Sequence, residues 1–202
     1  MASFNSNNIP IHLIGKYNKG NLYLGSLSAA NNLPLLEKYG ITHILRLIST
    51  EEYSYLKNTV YPKIKYYTID IEDIPESQLI EYFDTAYEFI DTALKEGGNV
   101  LVHCVMGISR SPSVVIMYLM RKKRYGYDRA YKTVKDIRGC VFPNPGFVEQ
   151  LIEDKRQGRV SSQARIRAKA KDKKASAGAG LYIPASVVMK TRAPQKATTR
   201  KK

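Results

Sequence analysis

Between residues 21 and 157 the chain switches repeatedly between short apolar runs and longer stretches with helical spacing. Asn21-Leu22-Tyr23-Leu24, closed by Gly25-Ser26, predicts a strand. Leu33, Leu35, Leu36 and Tyr39 share one face of a helix, with Gly40 placed to end it in the left-handed conformation. Residues 41–48 predict a second strand, and 64–71, with period-two alternation, a third. From about residue 77 to 95, Leu79, Phe83, Ala86, Phe89 or Ile90, and Ala93 fall on one helical face. Ser77 is the candidate cap of that helix, and Pro75 and Glu76 mark the same boundary. Gly97-Gly98 then introduces Asn99-Val100-Leu101-Val102, a buried strand. Residues 114–120 belong to a helix that Ser111 caps and Pro112 opens. Helices over 128–137, ended by Arg138-Gly139, and from Gly146 to about Arg156 complete the pattern. Strands separated by helices predict an α/β fold, a central and mainly parallel sheet flanked by helices.

The chemistry concentrates where the fourth strand meets its helix. That junction reads Val102-His103-Cys104-Val105-Met106-Gly107-Ile108-Ser109-Arg110-Ser111-Pro112. A cysteine ends a strand, an arginine follows six residues later, and a helix N-terminus opens just beyond. The backbone N–H groups of Val105, Met106, Gly107, Ile108, Ser109 and Arg110 then form a cradle suited to phosphate oxygens. Gly107 lets the chain turn where a side chain would block the anion. Arg110 offers a planar fork that holds two oxygens at once. Cys104 sits at the base, where the same donors favour its thiolate. A thiolate under a bound phosphate is placed for in-line attack on phosphorus. A buried structural thiol is the alternative for a lone cysteine after a strand. Six positions agreeing together in His-Cys-x-x-Gly-x-Ser-Arg-Ser argue against it.

Charge adds a second part to the picture. The 202 residues include 32 basic and 18 acidic side chains, a net charge of +14. Residues 1–154 hold 17 of each, whereas 155–202 hold the other 15 basic residues and one acid, Asp172. The expected organisation is a polar extension over 1–15, a neutral domain over 16–157 and a disordered basic tail over 158–202. Lys169-Ala170-Lys171-Asp172-Lys173-Lys174 and Arg200-Lys201-Lys202 suit nucleic acid or another polyanion, a weak nuclear signal, or simple solubilisation. Two cysteines exclude a disulfide framework, and a reactive thiolate needs a reducing compartment. The first eight residues carry no signal-peptide core, and the apolar run 114–120 is far too short to span a bilayer. A soluble protein of the cytoplasm or nucleus is expected.

The junction resembles the His-Cys-x5-Arg signature of cysteine-dependent protein tyrosine phosphatases, and its Ser-Arg-Ser ending is similar to the dual-specificity branch. Tyr23-Leu24-Gly25 and Pro143-Asn144-Pro145-Gly146-Phe147 also look like family positions, so the resemblance covers roughly residues 16–157. It implies the phosphatase fold, a phosphoprotein substrate, a phosphocysteine intermediate and no metal or other cofactor. Residues 70–76 form an acidic cluster that, by composition alone, reads as a solvated turn before a helix. The resemblance puts the general acid there: Ile69-Asp70-Ile71-Glu72-Asp73 matches a pattern similar to Ile-x-Ile-x-Asp and selects Asp73. Asp70, inside the alternating strand, reads as structural. The resemblance further implies that Ser111 bonds the Cys104 sulfur, that His103 fixes the cradle, and that Asn144 braces it. Cys140 is either a redox partner or a buried thiol. The loop interior is uncharged, which favours phosphoproteins over phosphoinositides. An RNA 5′-phosphate or an inactive phosphate-binding module are the remaining alternatives.

Overall fold

The computed structural model describes residues 11–56 and 58–158; the basic tail lies outside them. Five strands form one sheet: β1 (Ile11–Tyr17), β2 (Gly20–Gly25), β3 (Ile41–Leu47), β4 (Lys65–Ile69) and β5 (Asn99–His103). Their order is β1-β2-β5-β3-β4, with β1 antiparallel to β2 and every other pair parallel. β5 is therefore central. Its neighbours bring Gly25 and Arg46 beside His103, at the end of the sheet where the strand stops.

Among the described residues seven helices cover the sheet: α1 (Leu27–Ala30), α2 (Leu33–Lys38), α3 (Thr50–Tyr55), α4 (Phe83–Lys95), α5 (Arg110–Lys122), α6 (Tyr127–Ile137) and α7 (Pro145–Arg156). One sheet face packs Tyr23, Ile44 and Leu101 against Ala29, Ala30 and Leu36 of α1 and α2. The other packs Leu22, Leu24, Leu45 and Val102 against Phe83, Ile90, Val115, Val134 and Phe147 of α4 to α7. The residues of α5 from Arg110 through Arg121 are all buried, so the helix after the Cys104 loop is a core rod. Its far end is strapped down by Arg121, which donates to Asp154 of α7 at 2.5 and 3.0 Å and to Asp84 of α4 at 2.8 Å. Among the described residues no helix is long and apolar enough to cross a membrane.

The strand and helix pattern read from periodicity is the one observed, with Gly40 in the left-handed conformation after α2 at φ +58°. Four local features differ. The polar extension drawn through residue 15 runs into β1, because Ile11, Ile14 and Tyr17 point inward around a register shift between Leu13 and Gly15. That irregularity spaces the buried residues by three and hides the strand's period of two. Ser77 does not cap α4: a 3-10 turn over Leu79–Tyr82 intervenes, and α4 starts at Phe83. Ser77 instead offers its carbonyl to the Gln150 side chain at 2.8 Å. Ser111 does not cap α5 either. The helix begins at Arg110 with Ser109 as N-cap residue, and both hydroxyls are committed elsewhere. Finally, the short helices α1 and α3 are not read from the sequence: α1 has only four residues, and α3, Thr50-Glu51-Glu52-Tyr53-Ser54-Tyr55, carries no aliphatic repeat.

Candidate active site

The loop from Cys104 to Arg110 is held from outside by its carbonyls. His103 Nδ1 donates to Cys104 O at 3.1 Å, and Leu27 N–H at the start of α1 donates to Val105 O at 3.0 Å. Arg138, after α6, donates through Nη2 to Met106 O and through Nε to Gly107 O, both at 2.9 Å. Phe142 N–H donates to Ile108 O at 2.7 Å, and Ser113 donates to Ser109 O through its amide at 3.0 Å and its hydroxyl at 2.8 Å. Six consecutive carbonyls thus face protein donors. In a trans peptide the next residue's N–H points the opposite way, so the amides of residues 105–110 are turned toward the inside of the loop. Gly107 has φ +69°, and a Cβ there would lie 2.4 Å from Gly25 O, so only glycine fits.

Cys104 lies at the floor, 2% exposed. Its Sγ accepts from Gly107 N–H and from Ser111 Oγ–H, each at 3.2 Å. His103 is fully enclosed, and burial pushes its imidazole down to about 3, with the nearby Arg46 and Arg110 acting in the same direction. It is therefore neutral, and because a carbonyl only accepts, Nδ1 carries the proton toward Cys104 O.

Arg110 is fixed by two partners. Both terminal nitrogens donate to the carboxylate of Glu52 on α3, Nη2 at 2.8 Å, and Nη1 also donates to Ile71 O at 3.1 Å. Burial alone would lower the Arg110 pKa, but the Glu52 hydrogen bond and neighbouring negative charge raise it above its ordinary value. For Glu52, burial acts upward, yet the hydrogen bonds from Arg110 and Ser49 leave its carboxyl below the usual range. Ser49 and Glu52 form a reciprocal capping box at the start of α3, which fixes the carboxylate in place. Asp73 stands across the loop mouth. Its Oδ1 accepts from Ser109 Oγ at 2.6 Å and from Asn144 Nδ2 at 2.9 Å, and its Oδ2 lies 3.8 Å from Arg110 Nε. Asn144 also caps α7 through Oδ1, which accepts from Phe147 N–H at 3.0 Å. Asp70 is bonded instead to the amide and hydroxyl of Thr50, at the start of α3.

Residues read from the sequence as a site, namely Cys104, Arg110, Asp73, Ser111, His103 and Asn144 with the 105–110 loop, thus come together around one loop. The family model of the dual specificity phosphatase catalytic domain matches residues 22–157. The chain belongs to the dual specificity phosphatase family. Dual specificity protein phosphatase 1B of Arabidopsis thaliana is 42% identical over 130 residues, covering 64% of this chain and 75% of that protein. Dual specificity protein phosphatase 19 of Mus musculus is 42% identical over 130 residues, again 64% of this chain but 57% of that protein. Among solved structures, the human tyrosine phosphatase-like serine/threonine/tyrosine-interacting protein superposes with a TM-score of 0.64 at 41% identity. That alignment covers 66% of this chain and 90% of the other.

Two residues of this phosphatase domain's site were not visible in its sequence. Glu52 reaches Arg110 across 58 positions, and Arg138 reaches the loop across 31. The only sequence signal for Glu52 is the Ser49-x-x-Glu52 spacing of a capping box, and Arg138 reads as a helix end. Cys140 is a free, half-buried thiol. Because Arg138 holds two of the six carbonyls, Arg138→Met should loosen the cradle without touching the reacting groups. The inhibition constant of orthovanadate, a phosphate mimic, should rise at least tenfold, on the scale of losing hydrogen bonds from a charged donor. An unchanged constant would show that the loop holds its shape without Arg138.

Proposed function

We propose that the chain hydrolyses phosphotyrosine and phosphoserine or phosphothreonine of proteins through a phosphocysteine intermediate. The observation that carries this reading is Cys104 Sγ at the floor of the cradle, accepting two hydrogen bonds, with Arg110 and Asp73 across its mouth. Inward amides and the start of α5 hold the nonbridging oxygens of a phosphate. The Arg110 Nε–H, buried and without a hydrogen-bond acceptor among the described residues, is left for one of them. The Cys104 thiolate then forms an S–P bond as the P–O bond to the leaving group breaks. Asp73 supplies the proton to the leaving oxygen. Its Oδ1 already accepts from Ser109 and Asn144, so the proton travels on Oδ2. In the second step water attacks phosphorus and gives a proton to Asp73. The S–P bond breaks, and Ser111 Oγ–H stabilises the departing thiolate. The uncharged loop interior supports a phosphoprotein rather than a multiply phosphorylated lipid. The two free thiols support a reducing, intracellular setting.

Two substitutions separate the chemical roles. Cys104→Ser should bind phosphopeptides and release no phosphate; retention of more than a few per cent of turnover would contradict the cysteine mechanism. Asp73→Asn should lower kcat by roughly 10²–10⁴ on phosphopeptides. The loss should shrink on aryl phosphates whose leaving group needs no proton, and the same leaving-group dependence in Glu72→Gln would reassign the acid.

Beyond residue 158 the charge count supports a second, sequence-independent role in holding polyanions. Full-length protein should retain RNA at low ionic strength and release it as salt rises, while a form lacking residues 160–202 should not. Equal retention by the two forms would refute this role.

A further inference from the structure

β1 runs against β2, and its direction brings its first residues to the Cys104 loop. An antiparallel strand starts where its neighbour ends, so Ile11 pairs with Gly25 and His12 with Leu24. Gly25 in turn abuts Gly107, close enough that a Cβ on Gly107 would meet its carbonyl oxygen. At this end of β1, His12 Nδ1 lies 3.1 Å from Arg138 Nη1, a contact across 126 positions of sequence. Its polarity is fixed by chemistry: a guanidinium only donates, so Nδ1 accepts and the His12 proton sits on Nε2. Burial, and then the Arg138 charge, hold the imidazole below the ordinary histidine range, which keeps that lone pair free at neutral pH.

What Arg138 holds is connected to the sulfur. Met106 O and Gly107 N–H belong to one planar peptide and point in opposite directions. Arg138 Nη2 takes the oxygen at 2.9 Å, and the N–H is thereby aimed at Cys104 Sγ, 3.2 Å away. Arg138 Nε holds the next carbonyl, Gly107 O, also at 2.9 Å. Arg138 is buried, and among the described residues no carboxylate forms an ion pair with it. Its orientation therefore rests on three acceptors. Two bonded nitrogens, Nε and Nη2, define an axis about which a planar group can still roll. His12 on Nη1 is the third point, and it fixes the plane.

Resting on the phosphatase reading above, we propose that His12 is a positioning residue of the reaction, acting through Arg138 to keep the Met106–Gly107 peptide turned toward the Cys104 sulfur and the cradle shaped for a phosphoryl group. Without an acceptor at residue 12, the buried Nη1 loses a partner and the guanidinium turns to find another. Both carbonyl bonds then lengthen or bend, and the peptide that feeds the sulfur is freed. His12 touches neither sulfur nor substrate. It works at two removes, from the far side of the loop.

The test measures orthovanadate binding to the full chain by calorimetry, so that the cradle is read without turnover. His12→Phe keeps a ring at this half-buried position and removes the acceptor. His12→Asn removes the ring and returns an oxygen near the place of Nδ1. The Kd should rise about fivefold in His12→Phe, the scale of one weakened hydrogen bond from a charged donor. In His12→Asn it should return to within about twofold of the unaltered chain, a rescue that ring packing alone would not give. Placed on Arg138→Met, His12→Phe should add less than about twofold, because its effect runs through the guanidinium. His12→Val, a strand former without an acceptor, repeats the test should His12→Phe not fold. An unchanged Kd in the variants lacking an acceptor, equal weakening in His12→Asn, or the full loss on Arg138→Met would overturn the proposal. Phosphate release from a phosphopeptide is measured separately. Its absence in a chain that binds vanadate would contradict the phosphatase reading and leave the role of His12 to the Kd values, while a chain that binds no vanadate would overturn both.

Discussion

Six backbone carbonyls, from Cys104 through Ser109, are each bonded to a donor outside the loop, and the site depends on that alignment. A phosphate cradle is a set of amides pointing one way, and the amides cannot be turned inward unless the carbonyls are turned out. Left alone, such a loop would present a mixture of both and bind anions weakly. The donors come from five places in the chain: His103 beside the cysteine, Leu27 of α1, Ser113 of α5, Arg138 after α6, and Phe142 before α7. The fold around the central strand β5 therefore acts as a frame. The α1 side supplies Leu27, the α5 to α7 side supplies Ser113, Arg138 and Phe142, and His103 ends the central strand itself, so both faces of the sheet are tied to the same short loop.

The charged groups divide the remaining work. Arg138 is spent on carbonyls and faces outward, whereas Arg110 is spent on Glu52 and Ile71 O and keeps Nε toward the mouth. Buried between a carboxylate and a thiol, Arg110 stays charged, and its orientation is set before any ligand arrives. Removing Glu52 would leave a buried guanidinium short of a partner, the kind of loss that costs about 3–5 kcal/mol. Asp73 is likewise oriented in advance, since two donors hold Oδ1 and Oδ2 lies 3.8 Å from Arg110 Nε. Preorganisation of this kind is what gives electrostatic catalysis its size.

Much of this was legible in the chain because it is local. The cysteine, glycine, arginine and serine of the loop lie within eight residues, and their spacing alone implies a cradle at a helix start. Strands β2 to β5 and the longer helices follow from periodicity. What the sequence hid is what tertiary contact supplies. Ser111 reads as a helix cap, yet its hydroxyl turns back to the sulfur and the helix starts two residues earlier than Pro112, at Arg110. Ser109 reads as a loop residue and instead links Asp73 to the amide of Asn144. Glu52 and Arg138 carry no sign of their role, because nothing in a side chain's local pattern says which distant backbone it will hold. β1 was lost to a register shift near Gly15 that breaks the alternation by which strands are recognised.

The central claim is that the phosphoryl group passes through Cys104. Acid-quenching the protein during turnover of a phosphopeptide and mapping the phosphate by tandem mass spectrometry tests this directly. The adduct should fall on Cys104 and on no other residue, should accumulate in Ser111→Ala, where departure of the thiolate is slowed, and should vanish in Cys104→Ser. A phosphate mapped to Cys140 or to a hydroxyl, or sustained turnover with no adduct in Ser111→Ala, would contradict the account.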